Sequence, residues 1–390
     1  MGRQIARLRP SAAIVQKYQL SHGWGHFTGL GNRWRSHSFN HTGGCAGFYP
    51  KIPHFAILLR VWAGYFCGVN QLLYWPTSIM ENRILGLHHV TAISGNAQRN
   101  YDFYTKVLGM RFVKKTVNFD DPHTYHLYYG DYPASPGTIM TFFPWEHITK
   151  GRRGTGQATE VGFSVPAGSL EFWQQRMEAQ NVVYNNIADK FGERYLTIVD
   201  PDGLKLELTE AQPIDERAGY ATDEVGAANG IKGFHQVTLT LRNIKGTAEV
   251  LTDIFGYQLV NQHVNRYRFA TDATASAAII DLVEAKGEAQ GTVAGGSVHH
   301  IAFRVQDDAT EMKFRELVAS KGLDITPQID RNYFRSLYFR EPGGVLFEIA
   351  TDTPGFTVDE PVESLGQALQ LPAMYEKRRA EIEKVLPILQ

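Results

Sequence analysis

The chain has 390 residues, a formal net charge of −1, 43% hydrophobic residues and 20% charged residues, which are the proportions of a soluble globular protein. No run of basic residues is long enough to predict a nucleic-acid partner, and Cys45 and Cys67 are too few for a disulfide framework. We therefore expect a cytoplasmic protein, long enough for two ordinary domains or for a pair of packed barrels.

The first 80 residues differ in composition from the rest. They contain eight Lys and Arg residues and no Asp or Glu, whereas the other 310 contain 31 basic and 40 acidic residues, a net charge of −9. Three interpretations are open: a targeting segment, a membrane anchor at residues 55–75, or translated upstream sequence with the biological start at Met80. The anchor is disfavoured because Arg60, Asn70 and Gln71 lie inside it. We prefer the third interpretation and expect no membrane segment in residues 81–390.

Beyond residue 80 the sequence repeats itself weakly. "GLHHVTAISGNAQRNYDFYTKVLGMRFV" (86–113) is similar to "GFHQVTLTLRNIKGTAEVLTDIFGYQLV" (233–260), and both have the pattern of a strand, an amphipathic helix and a second strand. "GQATEVGFSV" (156–165) matches "GSVHHIAFRV" (296–305), and helical patterns follow at 169–180 and 310–322. "LTIVDPDGLKLELTE" (196–210) matches "LYFREPGGVLFEIAT" (337–351), each with a turn signal between two strands.

These repeats predict an α+β fold of four βαβββ modules. Modules one and two lie within 83–215, at 83–152 and 155–215; modules three and four lie within 230–352, at 230–288 and 295–352. Pairing two modules buries exposed strand edges and makes a half-open barrel with a concave interior, a natural cavity for a small molecule. A tail at 353–390 follows, with a charged surface helix at 375–386.

Comparing equivalent positions of the four modules selects candidate metal ligands. The first strand of the modules carries, in order, His89, Glu160, Gln236 and His300. The last strand carries Glu207 in module two and Glu348 in module four; module one offers Thr141 or Phe142 there, and module three offers nothing equivalent. One combination has good metal-binding chemistry, and it consists of His89, His300 and Glu348. Glu207 is interpreted as a relic, because Gln236 replaces the histidine that would meet it.

The doubled histidines raise the question of which ring faces the cavity. Strand alternation places His300 and Ala302 on the cavity face. It places His299 on the apolar face under the helix, but near the end of its strand, where the ring could still reach the rim of the site. A single strand histidine is more often structural than a ligand, but repetition at equivalent positions favours a metal. Two imidazoles and one carboxylate are typical of non-haem Fe(II) oxygenases. Four further histidines are expected to be structural or exposed: His123, His126, His147 and His263.

The strings "LHHVTA", "VHHIAF", "PGGVLFE" and "FYTKVLGMRFVKKTVNFDDPHTYHLYYGD" resemble the vicinal-oxygen-chelate (glyoxalase/bleomycin-resistance/extradiol dioxygenase) superfamily. The resemblance covers most of 83–370, including "ESLGQALQLP", and is narrowest to ring-cleaving dioxygenases of the hydroquinone 1,2-dioxygenase type. It implies Fe(II), with Mn(II) less suited, bound by His89, His300 and Glu348. It also implies that modules one and four share the metal-bearing barrel, while modules two and three form an empty one.

The same resemblance implies catalytic roles for five further residues. His88 and His299 would move a proton with pKa values near neutrality, Arg331 and Tyr338 would hold substrate oxygens, and Thr91 would support the site. The implied reaction inserts both atoms of O2 into a hydroquinone-type or catechol-type ring. The sequence leaves open whether the protein forms a homo-oligomer. Two alternatives remain: a glyoxalase-like metal-dependent lyase or isomerase, which needs four protein ligands, and a non-enzymatic small-molecule binder, which needs none.

Overall fold

The computed structural model describes residues 83–390. The three interpretations of residues 1–80 lie outside this part of the chain. In residues 83–390, no helix is both long enough and apolar enough to cross a membrane.

Modules one and two each place their helix directly after their first strand. Module one contains β1 (Leu87–Ser94), α1 (Ala97–Asp102) with one π-helical turn (Phe103–Val107), β2 (Arg111–Asn118), β3 (Asp121–Gly130) and β4 (Ile139–Pro144). Module two contains β5 (Gln157–Val165), α2 (Leu170–Ala179), β6 (Ala188–Lys190), β7 (Glu193–Val199) and β8 (Lys205–Glu210). The side chain of Asn96 caps α1 by accepting a hydrogen bond from the Arg99 amide, which explains why the helix begins there.

Modules three and four repeat this order. Module three contains β9 (Gly233–Leu241), α3 (Lys245–Glu249) with the same kind of π-helical turn (Val250–Ile254), β10 (Gln258–His263), β11 (Arg266–Ala270) and β12 (Ile279–Glu284). Module four contains β13 (Ser297–Val305), α4 (Asp308–Ser320), β14 (Ile329–Asp330), β15 (Phe334–Arg340) and β16 (Leu346–Pro354). The tail ends in α5 (Arg379–Val385), inside the predicted surface helix.

The strands form two eight-stranded sheets that pair the modules across the chain. One has the order β14-β15-β16-β13-β1-β4-β3-β2 and joins modules four and one; we call it the first barrel. The other has the order β10-β11-β12-β9-β5-β8-β7-β6 and joins modules three and two; we call it the second barrel. The predicted α+β fold of four modules in two half-open barrels is therefore confirmed.

Alternation along the strands separates a helix-covered face from a barrel interior. In β13, Ile301 and Phe303 pack in the large apolar core with the helices, whereas Ala302 faces the interior with a smaller cluster. Phe356 of the tail enters that interior cluster, where its ring lies 5.4 Å from Tyr128. The tail thus helps to exclude water from the first barrel.

The tail is fastened by a buried ion-pair cluster on β2. The Lys114 side chain is fully buried, and its ammonium group lies 2.6 Å from Asp359 and 2.5 Å from Glu360. The hydroxyl of Tyr333 donates to Asp359 at 2.9 Å. Because a buried charge is tolerated only when it is paired, this cluster fixes the tail against the first barrel.

Two β-bulges interrupt the pairing of β1 with β13. At the first bulge the register passes from Leu87↔Phe303 to His89↔Ala302, so His88 has no partner across the strand pair. At the second bulge it passes from Thr91↔His300 to Ala92↔Val298, so His299 has no partner there. A bulge re-aims the side chains beside it. Each histidine pair therefore departs from simple strand alternation at its first member.

The second barrel has the same two bulges between β5 and β9. The register skips Thr159 between Ala158 and Glu160, and it skips His235 opposite the step from Gly162 to Phe163. These are the positions that His299 and His88 occupy in the first barrel. The bulges are consequently a property of the repeated fold and are present even where no histidine pair exists.

Candidate metal centre

Three side chains converge inside the first barrel, where β1, β13 and β16 lie side by side. The Nε2 atoms of His89 and His300 are 3.3 Å apart. Oε2 of Glu348 lies 3.3 Å from His89 Nε2 and 2.9 Å from His300 Nε2. Metal–ligand bonds of about 2.1 Å at right angles separate ligand atoms by about 3 Å. The three atoms are thus spaced like one face of a coordination shell.

The chemistry of the Glu348 carboxylate also fits a cation. The side chain is fully buried, and no Lys or Arg of residues 83–390 forms an ion pair with it. Burial raises the pKa of this carboxyl, but the neighbouring His89 and His300 outweigh burial and hold the pKa well below its usual range. A buried carboxylate requires a compensating cation, and a metal ion held by these three residues would supply it.

Each candidate ligand is bonded through its other ring nitrogen to the preceding histidine. Nδ1 of His89 lies 3.0 Å from Nδ1 of His88, and Nδ1 of His300 lies 2.8 Å from Nδ1 of His299. If the ligand rings donate from Nδ1, their Nε2 lone pairs are free for a metal. In that arrangement the Nε2 atoms of His89 and His300 and the Glu348 carboxylate are all acceptors. This agrees with the finding that no group in residues 83–390 donates a hydrogen bond to either carboxylate oxygen.

Burial favours the neutral rings of His88, His299 and His300. Burial is the main cause that lowers the pKa of His299 to about 3, and the neighbouring His300 adds a smaller contribution in the same direction. Burial and then His89 lower the pKa of His88 well below its ordinary value, and burial lowers that of His300 although Glu348 opposes it. The near-neutral pKa expected for His88 and His299 is therefore wrong for these surroundings. A neutral ring of His88 or His299 can accept the hydrogen bond that orients the neighbouring candidate ligand.

The strand face predicted for His299 is wrong, but its ring does reach the site. Strand alternation placed its ring on the apolar face, but the bulge turns it toward His300, and its ring also meets Phe143 edge-on at 5.7 Å. His88 likewise bonds to His89 from its own bulge. Both members of each pair therefore serve one site, one as candidate ligand and the other as its hydrogen-bond partner.

Arg331 and Tyr338 lie beside the candidate metal position. The Tyr338 ring is 5.7 Å from the His300 ring, and the Arg331 guanidinium is 5.4 Å from the centre of the Tyr338 ring. Burial and then Glu348 raise the pKa of Tyr338 above its ordinary value, so the phenol is protonated and can donate a hydrogen bond. Arg331 also approaches Asp120 at 3.4 Å.

The position of a fourth ligand is held by Thr141. β1 pairs with β4 through Thr91↔Thr141, and β13 pairs with β16 through Ala302↔Glu348, so Thr141 is the module-one counterpart of Glu348. The Thr141 hydroxyl donates to Thr91 Oγ1 at 2.8 Å and contacts His126 Nε2 at 2.8 Å. A neutral hydroxyl in two hydrogen bonds is a poor metal ligand, so the site lacks the fourth ligand that a glyoxalase-like centre needs.

His126 belongs to the site, although the sequence pattern does not single it out. Burial, with smaller contributions from His89 and His300, lowers the pKa of His126 well below its ordinary value. These contributions show that the His126 ring lies near the two candidate ligands. The other three histidines without a predicted role, His123, His147 and His263, are exposed. A signal was present in the repeat, because His126 aligns with Arg266, which reaches the corresponding point of the second barrel.

Module three does have an equivalent of Glu348, contrary to the sequence-based expectation. β9 pairs with β12 through Thr238↔Asp281, the same register as Thr91↔Thr141. The four ligand positions of the second barrel are therefore occupied by Gln236, Glu160, Glu207 and Asp281. The shorter strands β10 and β11, compared with β2 and β3, shift the alignment before β12 and conceal this match in the sequence.

Basic side chains neutralise this acidic set in the second barrel. Lys190 pairs with Glu207, and Lys205 pairs with Glu160 at 2.5 Å. Arg266 lies between Glu160 at 3.1 Å and Asp281 at 3.2 Å. In residues 83–390 the only group of three or more potential ligands suited to one metal ion is His89, His300 and Glu348. Side-chain cations thus occupy the second barrel, and the first barrel alone has a site suited to a metal ion.

Comparison with known proteins gives relatives along most of the described chain. The model of the Glyoxalase/Bleomycin resistance protein/Dioxygenase superfamily matches residues 86–208 and 233–349. A Bacillus subtilis protein named "Putative ring-cleaving dioxygenase MhqO" is 45% identical over 79% of this chain and 97% of its own length. The "Chlorohydroquinone/hydroquinone 1,2-dioxygenase" of Sphingobium indicum is 33% identical over 79% of this chain and 97% of its own length.

Solved structures agree with this assignment. The crystal structure of a "putative dioxygenase" from Bacillus subtilis superposes with a TM-score of 0.75 at 42% identity, covering 79% of this chain and 98% of that one. Glyoxalase I from Zea mays superposes with a TM-score of 0.52 at 16% identity, covering 70% and 93%, and shares the fold. The matched modules and the full-length relatives show that this chain belongs to the Glyoxalase/Bleomycin resistance protein/Dioxygenase superfamily.

Proposed function

We propose that this protein is a ring-cleaving dioxygenase that uses O2 to open a hydroquinone-type aromatic ring, with Fe(II) held by His89, His300 and Glu348. The observation that carries the proposal is the three-ligand arrangement, in which the fourth ligand position holds the Thr141 hydroxyl. The relatives support the reaction, because those matched along nearly their whole length carry the names of ring-cleaving and hydroquinone dioxygenases.

Three protein ligands suit this chemistry because they leave coordination positions for two reactants. Fe(II) bound there would stabilise a deprotonated substrate hydroxyl and supply an electron path between the diol and O2. A fourth protein ligand would remove one of those positions. The intact trio also argues against a non-enzymatic binder, for which these buried ligands would have no use.

The remaining residues bind and orient. His88 and His299 hold the ligand rings in one orientation through their Nδ1 contacts. Arg331 and Tyr338 carry hydrogen-bond donors at the edge of the site and are proposed to hold the substrate oxygens. The Phe334 ring lies 5.0 Å from His89, and together with Phe356 it keeps the interior apolar, which strengthens electrostatic interactions with a bound diolate.

The proposal predicts metal-dependent oxygen consumption. Purified protein loaded anaerobically with Fe(II) should bind one equivalent and consume oxygen when given a substituted hydroquinone, whereas Mn(II)-loaded protein should be less active. The measurement is oxygen uptake across a panel of hydroquinones and catechols, with metal content determined in parallel. Protein that retains no metal, or that holds Fe(II) but consumes no oxygen with any member of the panel, would contradict the proposal.

Replacing His299 with alanine should slow turnover while the metal stays bound. Loss of the Nδ1 contact frees the His300 ring to rotate, and removing such an outer partner typically costs about 10- to 100-fold in activity or metal affinity. Metal content and oxygen uptake are measured together. His235→Ala, at the corresponding bulge of the second barrel, is the matched control and should leave metal affinity unchanged. Loss of all metal in His299→Ala would show that His299 is itself a ligand.

A further inference from the structure

A chain of hydrogen bonds runs along the wall of the first barrel. The Tyr128 hydroxyl lies 2.8 Å from His126 Nδ1, His126 Nε2 lies 2.8 Å from Thr141 Oγ1, and the Thr141 hydroxyl donates to Thr91 Oγ1 at 2.8 Å. Because Thr141 uses its only hydrogen toward Thr91, it must accept from His126 Nε2. A neutral His126 then accepts at Nδ1 from Tyr128. The three hydrogen bonds therefore run in one direction, from Tyr128 to Thr91.

The hydrogen-bond chain ends on the Thr91 hydroxyl, whose hydrogen is not donated to another group of residues 83–390. Thr91 is completely buried, and in residues 83–390 no acceptor takes its hydroxyl hydrogen. Thr91 shares its strand face with His89, two residues earlier, and its Cα pairs with that of His300. The free donor therefore lies on the same face of the sheet as the two candidate histidine ligands. A buried hydroxyl without an acceptor is costly unless a bound molecule provides one.

The second barrel shows what the same four positions do when no ligand is needed. Strand register aligns Thr91 with Thr238, Thr141 with Asp281, His126 with Arg266, and Tyr128 with Arg268. These residues are also connected: Arg266 donates to Thr238 Oγ1 at 2.9 Å and pairs with Asp281, and Arg268 pairs with Asp281. There the acids accept from the cations, and the Thr238 hydroxyl, like that of Thr91, meets no acceptor in residues 83–390. Of the two barrels, only the first places such a donor on the strand face that carries the candidate metal ligands.

We propose that Tyr128, His126 and Thr141 are positioning residues that hold the Thr91 hydroxyl as a hydrogen-bond donor to an oxygen of the bound aromatic diol. This proposal rests on the proposed function and deepens it, because it names how the site recognises its substrate. Hydrogen bonds in a chain polarise one another, so the Thr91 hydroxyl becomes a stronger donor than an isolated threonine. The same chain keeps the Thr141 oxygen occupied and away from the metal.

The test compares five variants for metal content, for anaerobic binding of a substituted hydroquinone by calorimetry, and for kcat and KM. Thr141→Val should keep one metal per chain but weaken anaerobic diol binding about 10-fold, the size of one hydrogen bond to a partly charged oxygen. Thr141→Ser restores the hydroxyl and should restore binding. Thr159→Val is the matched control, because it removes one partner of the buried Thr159–Thr240 hydroxyl pair of the second barrel, which is 2.8 Å long; diol binding should not change.

Tyr128→Phe tests the end of the hydrogen-bond chain that lies farthest from Thr91. It should weaken diol binding less than Thr141→Val does. The double variant Tyr128→Phe/Thr141→Val should bind the diol as well as Thr141→Val alone, because Thr141→Val already interrupts the hydrogen-bond chain. Wild-type binding and kinetics in Thr141→Val, additive effects in the double variant, or loss of metal in Thr141→Val would each overturn the inference. If the Fe(II)-loaded wild-type protein itself neither binds nor oxidises a hydroquinone, the proposed function has failed instead.

Discussion

Replacing Glu348 with alanine is expected to abolish metal binding and with it all oxygen consumption. The variant retains two neutral imidazoles and loses the only anionic member of the candidate site, so the affinity for a divalent cation collapses. The same substitution also changes the stability of the metal-free protein, because Glu348 is a fully buried carboxylate, so metal binding and stability must be measured separately.

Thermal unfolding with and without added Fe(II) distinguishes these effects. The wild-type melting temperature should rise with metal, since a ligand that binds only the folded state stabilises it, while that of Glu348→Ala should not respond. Glu207→Ala, at the equivalent position of the second barrel, is the matched control: it should still respond to metal but melt at a lower temperature, because the buried Lys190 loses its partner. A Glu348→Ala protein that retains one metal per chain would show that the site is elsewhere.

Replacing Arg268 with methionine is expected to destabilise the protein strongly without affecting its metal site. Arg268 is buried, pairs with Asp281 at 2.9 Å and also bonds Glu193. Methionine fills much of the space but leaves two buried carboxylates without this partner. Breaking a buried ion pair from one side typically costs about 3–5 kcal/mol. Urea unfolding monitored by circular dichroism measures the loss.

The control for this variant is Arg378→Met, which removes an exposed arginine paired with Glu381 at 2.7 Å on the tail. Exposed ion pairs contribute little to stability, so its unfolding midpoint should stay close to that of the wild type. Metal content should be unchanged in both proteins. A midpoint for Arg268→Met as high as that for Arg378→Met would show that the charged cluster of the second barrel adds nothing to stability.

The repeat made the fold and the candidate ligands predictable from the sequence. Helix and strand periodicities marked the four modules, and equivalent positions selected His89, His300 and Glu348 before any geometry was known. The structure brings those three together within the first barrel. Internal comparison succeeded here because the modules share one register, so that a substitution such as Glu160 for His300 stands out against its counterparts.

What could not be predicted depended on register and on contacts across strands. A bulge inserts one residue without a sequence marker, so alternation assigned His299 to the wrong face. Asp281 was missed because strands β10 and β11 are shorter than β2 and β3, which shifts the alignment of everything that follows them in module three. His126 was missed because its role depends on the hydroxyls of Thr141 and Tyr128, one of which lies on a neighbouring strand.

The pairing of β1 with β13 also sets when the candidate site can exist during synthesis. His89 and His300 meet at 3.3 Å although 211 positions separate them along the chain. On the ribosome, β1 emerges with no partner for its inner edge, and the whole second barrel can form before β13 appears. The second barrel needs no imported ion, since Lys190, Lys205, Arg266 and Arg268 come with its own sequence. The metal can therefore bind only late, after module four has been synthesised. A chain that ends before module four would lack two of the three candidate ligands, His300 and Glu348.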